Sequence, residues 1–172
     1  MKRVIITILF VFICFLLQCT VFHALAFGRI VPNLLIVLTA SFGFMRGKKS
    51  GLLIGFFGGI LVDIFFGEVI GFYAILYMYI GYLNGKFTHI FYPEDIKLPL
   101  TLILCSDFFY GIMCYVILFL LRGRFDFGYY VRNIIFPEIV YTIVTTLFLY
   151  PIILWVNKSL ERKEKRSEKK FV

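Results

Sequence analysis

The chain is predicted to be an all-α polytopic membrane protein with about six transmembrane helices, and three observations support this. Hydrophobic residues make up 61% of the 172 positions, and aromatic residues make up 20%. The mean hydropathy is +0.93, and only 16% of the residues are charged. A soluble fold cannot bury that much apolar surface. The apolar runs are also continuous and do not alternate, which favours helices over a β-barrel.

Charged residues, glycines and prolines divide the chain into six apolar stretches, each a candidate span. A bilayer core of roughly 30 Å needs about 20 apolar residues in a helix. The stretches cover residues 4–27, 31–45, 51–66, 69–83, 98–121 and 134–156. The second to fourth are short and joined by tight turns, so four full spans with one re-entrant pair is the alternative topology. We therefore expect one transmembrane domain, 1–156, and a basic tail, 157–172.

Positive charge is distributed unevenly between the two sides that this topology defines. Short cytoplasmic loops are enriched in Lys and Arg. With an even number of spans, fourteen of the eighteen Lys and Arg residues fall on the side of the termini. The other four are Arg29, Arg122, Arg124 and Arg132. Both termini are therefore predicted to be cytoplasmic in the plasma membrane. The net charge of +8 is a topology signal and gives little support to nucleic-acid binding.

No pattern in the sequence predicts a cofactor, a metal site or a disulfide. The cysteines all lie inside predicted spans and have no CxxC spacing, as expected of small lipid-buried hydrophobes: Cys14, Cys19, Cys105 and Cys114. The two histidines, His23 and His89, fall near opposite membrane faces in this topology. They are therefore not expected to share a metal ion.

Acidic residues within the spans are informative, because a charge at the centre of a transmembrane helix costs roughly 2.5–3.5 kcal/mol. Asp63 lies one turn from the outer end of the third span, and Glu138 about one turn into the sixth from the same side. Pro32 and Asn33 open the second span at that face. These four residues are predicted to form an outward-facing polar site that binds a partner. The alternative is that each lies at the interface and reaches water.

Asp107 lies deeper, about midway along the fifth span, with Ser106 before it and Tyr110 one turn further on. We expect its carboxyl group to be buried and to hydrogen-bond with Gln18 or a tyrosine, which would join helices. The alternative is that Asp107 lines a substrate path. A hydrogen bond between helices is the favoured interpretation.

The third span carries the most regular pattern in the chain, a residue of interest at every fourth position. The series is Gly51, Gly55, Gly59, Asp63 and Gly67. A spacing of four keeps neighbours on one ridge of a helix, and glycines there allow another helix to approach closely. The three glycines 51, 55 and 59 are therefore predicted to form a helix-packing ridge, with Asp63 at a close helix contact, either within the chain or with a partner protein.

More specific motifs are concentrated between positions 31 and 85. They read VPNLL at 31–35, GLLIGFFGGILVD at 51–63 and GFYA at 71–74, followed by Gly81-Tyr82. These motifs resemble those of the rod-shape-determining MreD family. The chain length, the number of spans and the basic tail are similar to that family too. The second half of the chain resembles it in hydropathy alone.

The resemblance implies a non-enzymatic membrane component of the bacterial cell-elongation machinery, which builds peptidoglycan in rod-shaped cells. Its partners would be an MreC-like protein and, around it, the actin-like MreB, the glycosyltransferase RodA and a class B penicillin-binding protein. The resemblance also implies a helical fold similar to the S components of energy-coupling-factor vitamin transporters. Fold similarity alone does not transfer function.

Three functions follow from these observations. The favoured one is a scaffold that docks an MreC-like protein through the glycine ridge and the face of Pro32, Asn33 and Asp63. The alternative is an S component of a vitamin transporter, with its ligand in the outer site. An intramembrane enzyme is the weakest, because adjacent Ser106 and Asp107 point about 100° apart on a helix. The tail is predicted to anchor the topology or to contact anionic lipids.

Overall fold

A computed structural model describes residues 2–24, 30–67, 70–90, 96–119 and 126–168, which form helices and no strand. The predicted all-α class is therefore confirmed, with six main helices. The helices are α1 (Lys2–Cys19), α2 (Val21–Ala24), α3 (Leu34–Arg46), α4 (Lys48–Phe66), α5 (Phe72–Gly85), α6 (Lys97–Cys114), α7 (Phe127–Tyr130) and α8 (Phe136–Glu168). A 3₁₀ helix, Lys86–Ile90, follows α5, and π-helical segments, Tyr115–Phe119 and Val131–Ile135, follow α6 and α7.

Helix α3 is the centre of the bundle. Every residue from Leu34 to Met45 is buried, although the helix has only 13 residues. It contacts α1, α4, α5, α6 and α8. Its side chains are mostly apolar on all sides, with Thr39 and Ser41 as buried exceptions, as expected of a helix surrounded by other helices. At 1.5 Å per residue α3 is about 20 Å long, which is less than the thickness of a bilayer core.

Contacts along α3 define two ends of the bundle. At the Arg46 end, where α3 stops, Arg46 contacts both Thr7 of α1 and Asn157 of α8. At the Asn33 end, where α3 begins, Asn33 contacts Thr142 of α8. Helix α1 is thus antiparallel to α3, and α8 is parallel to it. The start of α1 and the later part of α8 consequently lie at the same end of the bundle.

Helix lengths revise two of the predicted spans. Helix α4 has 19 residues and is long and apolar enough to cross a membrane, because it begins at Lys48 and not at the predicted position 51. Helix α8 has 33 residues and continues to Glu168, past the predicted tail boundary at 157. Asn157 and Leu160 are buried, so the first turn of the predicted tail packs on the bundle.

Large apolar side chains cover much of the outer surface. Three helical segments are long and apolar enough to cross a membrane: Lys48–Phe66, Lys97–Ile117 and Phe127–Arg162. Side chains such as Ile64, Phe148 and Trp155 are more than 60% exposed. Surfaces of this kind are typical of contact with lipid or with other membrane helices.

Candidate functional site

Helices α4 and α5 touch backbone to backbone along the predicted glycine ridge. A Cβ atom on any of the three ridge glycines would overlap the α5 backbone: Gly51 at Gly81, Gly55 at Tyr77 and Gly59 at Ala74. Close approach of this kind allows helices to pack in lipid without a hydrophobic driving force. Helix α5 therefore covers the ridge, which is the internal alternative of the predicted close helix contact. We call this contact the α4–α5 seam.

Asp63 lies at one end of the α4–α5 seam and caps α5. Its Oδ1 accepts a hydrogen bond from the backbone N–H of Tyr73, and its Oδ2 accepts one from Ala74, both at 2.9 Å. The side chain is only 1% exposed. The first N–H groups of a helix lack partners within the helix, and the positive end of the helix dipole favours a carboxylate. The N terminus of α5 thus stabilises a buried acidic group.

Asn33 performs the same task for the buried helix α3. Its Oδ1 accepts hydrogen bonds from the Ile36 N–H at 3.2 Å and from the Tyr77 hydroxyl at 2.8 Å. The Asn33 N–H donates to Thr142 Oγ1 at 3.1 Å. The N–H of Leu35 donates to a further helix, α1, at the side chain of Gln18. The start of α3 is therefore held by α1, α5 and α8 together.

The four residues predicted for an outward-facing polar site all lie at the Asn33 end, but in different surroundings. Pro32, Asn33 and Asp63 are buried, and Glu138 is half-buried. No hydrogen bond within the described residues joins Asn33 directly to Asp63. They are linked through α5, which Asp63 caps and whose Tyr77 binds Asn33. This end of the bundle holds satisfied helix caps.

Asp107, on α6, lacks partners of this kind. It is 2% exposed, and neither carboxylate oxygen makes a well-formed hydrogen bond. Its polar neighbours are Thr142 and Glu138, one turn apart on α8. The structure shows neither of the predicted hydrogen bonds, from Gln18 or from a tyrosine, to the Asp107 carboxyl group. The Gln18 Oε1 accepts instead from the Leu35 N–H at 3.3 Å. Asp107 therefore faces the contact between α6 and α8.

A second buried polar cluster, which sequence reasoning missed, lies at the Arg46 end. Arg46 donates from Nε to Asn157 Oδ1 and from an η nitrogen to Thr7 Oγ1. Its guanidinium lies 4.0 Å from the centroid of the Phe42 ring. Asn157 donates to Glu161 at 2.9 Å. From the sequence, Arg46 was assigned only to the basic residues of a loop. The apolar runs that precede Arg46 and Asn157 were the available signal for this cluster.

These helices and their buried caps define an all-α membrane protein, in which polar side chains fix helix ends. The chain belongs to the rod shape-determining protein MreD family, which matches residues 1–159. The family match extends the resemblance from residues 31–85 to nearly the whole chain. Comparisons with curated proteins and with solved structures gave no match. The expected similarity to transporter S components therefore stays a prediction.

Proposed function

We propose that this chain is a non-enzymatic scaffold of the bacterial cell-elongation machinery, and that it binds a single-span, MreC-like membrane protein. Membership of the MreD family over residues 1–159 is the observation that carries this proposal. MreB, RodA and a class B penicillin-binding protein are the further partners that the family suggests. Broad exposed apolar helix faces support the proposal, because they provide area for contacts between membrane helices.

The polar residues of the Asn33 end contribute to this function indirectly in our proposal. Asn33 and Asp63 use their side-chain oxygens on helix N termini, so they shape the bundle that a partner meets. Glu138, which is half-buried, is the member of the predicted polar site with accessible surface. We therefore assign direct contact with a partner at this end to Glu138 alone.

The proposed topology places both termini in the cytoplasm. Thr7 and Asn157 meet at Arg46, which supports the same side for the start of α1 and the later part of α8. Positive charge is enriched on that side. The basic residues after Asn157 then lie close to the inner leaflet, where each adds about 1 kcal/mol of attraction to anionic lipids. A C-terminal reporter that is active only outside the cell should stay silent.

Affinity purification of the tagged chain from its native membranes in mild detergent tests the scaffold function. Mass spectrometry of the copurifying proteins should identify an MreC-like single-span protein together with elongation synthases. A second tagged polytopic protein of similar abundance, purified in parallel, removes unspecific binders. Recovery of ATPase subunits or of a stoichiometric vitamin in place of these partners would contradict the proposal.

A further inference from the structure

Two lysines from different helices meet at one aromatic ring at the Arg46 end of the bundle. Lys48 Nζ lies 6.0 Å from the centroid of the Tyr82 ring, and Lys86 Nζ lies 5.2 Å from the same centroid. The two ammonium groups are therefore separated by no more than the sum of these distances. Lys48 begins α4, and Lys86 directly follows α5. We call these three residues the lysine–tyrosine cluster.

Backbone contacts fix the places from which the two lysines extend. A Cβ atom on Gly85 would overlap the backbone of Lys48, so the end of α5 touches the start of α4. The 3₁₀ helix that begins at Lys86 is held by the Thr88 hydroxyl, which lies 2.9 Å from the carbonyl oxygen of Gly85 and 3.3 Å from that of Gly43. The two lysines thus leave the bundle from neighbouring backbone positions.

The lysine–tyrosine cluster concentrates positive charge on the surface. Lys48 and Lys86 are exposed, and Lys49 adds a third exposed lysine beside them. Neither the first turn of α4 nor that of the 3₁₀ helix contains an acidic residue. Lys48 also lies at the positive end of the α4 dipole, which disfavours a cation and favours an anion. An anion between the two ammonium groups would relieve this repulsion.

An apolar strip leads away from the cluster along the outer face of α5. It consists of Ile75 and Tyr79, which precede Tyr82 by seven and three residues and therefore lie on the same face of the helix. Ile75 is 69% exposed, and Tyr79 is 51% exposed. The surface thus has positive charge at one end and exposed apolar side chains along its length.

A phospholipid with an anionic headgroup matches both parts of this surface. Its phosphate group pairs with lysine ammonium groups, and its acyl chains cover exposed apolar side chains. A soluble anion would contact only the charged end. Tyrosine is typical of the level at which lipid headgroups lie, which agrees with the place of Tyr82 between the two parts. In the proposed topology the Arg46 end faces the cytoplasm, where the leaflet carries negative charge.

We propose that the lysine–tyrosine cluster binds the headgroup phosphate of an anionic phospholipid of the inner leaflet, with an acyl chain along Ile75 and Tyr79. The inference goes beyond the scaffold function and needs no partner protein, and only the choice of leaflet rests on the proposed topology. It also differs from the general attraction of the basic residues after Asn157, because the two ammonium groups share one ring. A lipid bound here contacts α4 and α5 together.

Native mass spectrometry of the full chain, titrated with phosphatidylglycerol in detergent, tests this proposal. Lys48→Gln combined with Lys86→Gln should raise the Kd of the first bound lipid about 10- to 30-fold, which is the combined attraction expected of two basic residues near the membrane surface. Lys158→Gln combined with Arg162→Gln is the matched control, because it removes two exposed positive charges of α8 outside the cluster. The control should raise the Kd less than about threefold. Phosphatidylcholine, which has no net charge, should bind the unsubstituted chain more weakly than phosphatidylglycerol.

Charge-conserving variants separate lipid binding from folding. Lys48→Arg combined with Lys86→Arg keeps both charges and should bind phosphatidylglycerol within about threefold of the unsubstituted chain. Thermal midpoints in detergent without added lipid should agree among all variants, since the substituted side chains are exposed. Equal losses in the two Gln pairs would show general electrostatic attraction and would overturn the cluster as a site. Equal binding of the two lipids, or an Arg pair as weak as the Lys48 and Lys86 Gln pair, would also contradict the proposal.

Discussion

The two sides of α5 make opposite kinds of contact with their neighbouring helices. Toward α4, glycines bring the two backbones together and leave no room for a side chain. Toward α6, a cavity of about 310 Å³ remains, and its lining residues include Asn84, whose Oδ1 has no hydrogen-bond partner among the described residues. Small residues allow close helix approach in membranes, whereas large side chains such as Phe87 and Phe109 keep helices apart. The α4 side of α5 is therefore closely packed, whereas the α6 side keeps a small, mostly apolar cavity.

The contrast also separates two uses of buried polar groups. Asp63, at the end of the α4–α5 seam, has both carboxylate oxygens hydrogen-bonded to the backbone of α5. Asn84, on the side of α5 that faces α6, donates two hydrogen bonds from its amide nitrogen, whereas its amide oxygen has no partner. A satisfied buried group fixes a fold, whereas an unsatisfied one costs free energy. Burial alone thus does not show how a polar group is used, because Asp63 and Asn84 are equally buried and differ in their hydrogen-bond partners.

The largest loss of stability is expected from Gly59→Ala at the α4–α5 seam. The added methyl group would overlap the backbone at Ala74, so α4 and α5 must move apart, at a cost of about 3 kcal/mol. Gly58→Ala on the same helix is the control, because its new methyl group meets only Leu35 and Val11 side chains, at 3.8 and 3.9 Å. Gly58→Ala should change stability by less than about 0.5 kcal/mol.

Thermal unfolding in detergent, followed by size-exclusion chromatography of the fluorescently tagged variants, measures this difference. Gly59→Ala should give a strongly reduced monodisperse peak and a lower midpoint, and Gly58→Ala a normal one. Equal behaviour of the two variants would contradict the backbone contact at the α4–α5 seam.

The ridge shows what the sequence predicts well. A spacing of four places Gly51, Gly55, Gly59 and Asp63 on one line of a helix whatever the partner is, so close packing there followed from local geometry. The helix that the ridge contacts could not be predicted, because a glycine ridge has the same pattern whether it meets α5 or another protein. Hydropathy likewise predicted six helices, but the end of α8 was missed, since charged residues after 157 read as a tail.

The polar contacts between α5 and α6 could not be predicted from the sequence, for a related reason. Asn84 stands one position before the end of α5 and two before Lys86, so it reads as a residue at a helix end. Its pairing with Ser106, 22 positions later, depends on how α5 and α6 pack. The same holds for Arg46 and Asn157, which are 111 positions apart. Long-range polar contacts have no periodic signal in a single sequence.

A smaller loss of stability is expected from Asp63→Ala, which removes the side-chain cap of α5 at the end of the α4–α5 seam. Two buried N–H groups, of Tyr73 and Ala74, would lose their acceptors, which costs about 2 kcal/mol. Asp126→Ala is the matched control, since Asp126 precedes α7, is exposed and makes no side-chain cap hydrogen bond. Thermal midpoints in detergent compare the two variants. A stable Asp63→Ala protein would show that its cap contributes little.

The smallest effect on stability is expected from Leu102→Phe, which enlarges a half-buried side chain in the cavity between α5 and α6. The cavity has space for the added ring atoms, so the free energy of unfolding should change by less than about 1 kcal/mol. Ile103→Phe is the control on the next residue, which is 1% exposed in the core, and it should destabilise by about 1–3 kcal/mol. Similar losses in both variants would mean that the two sides of α5 are equally closed.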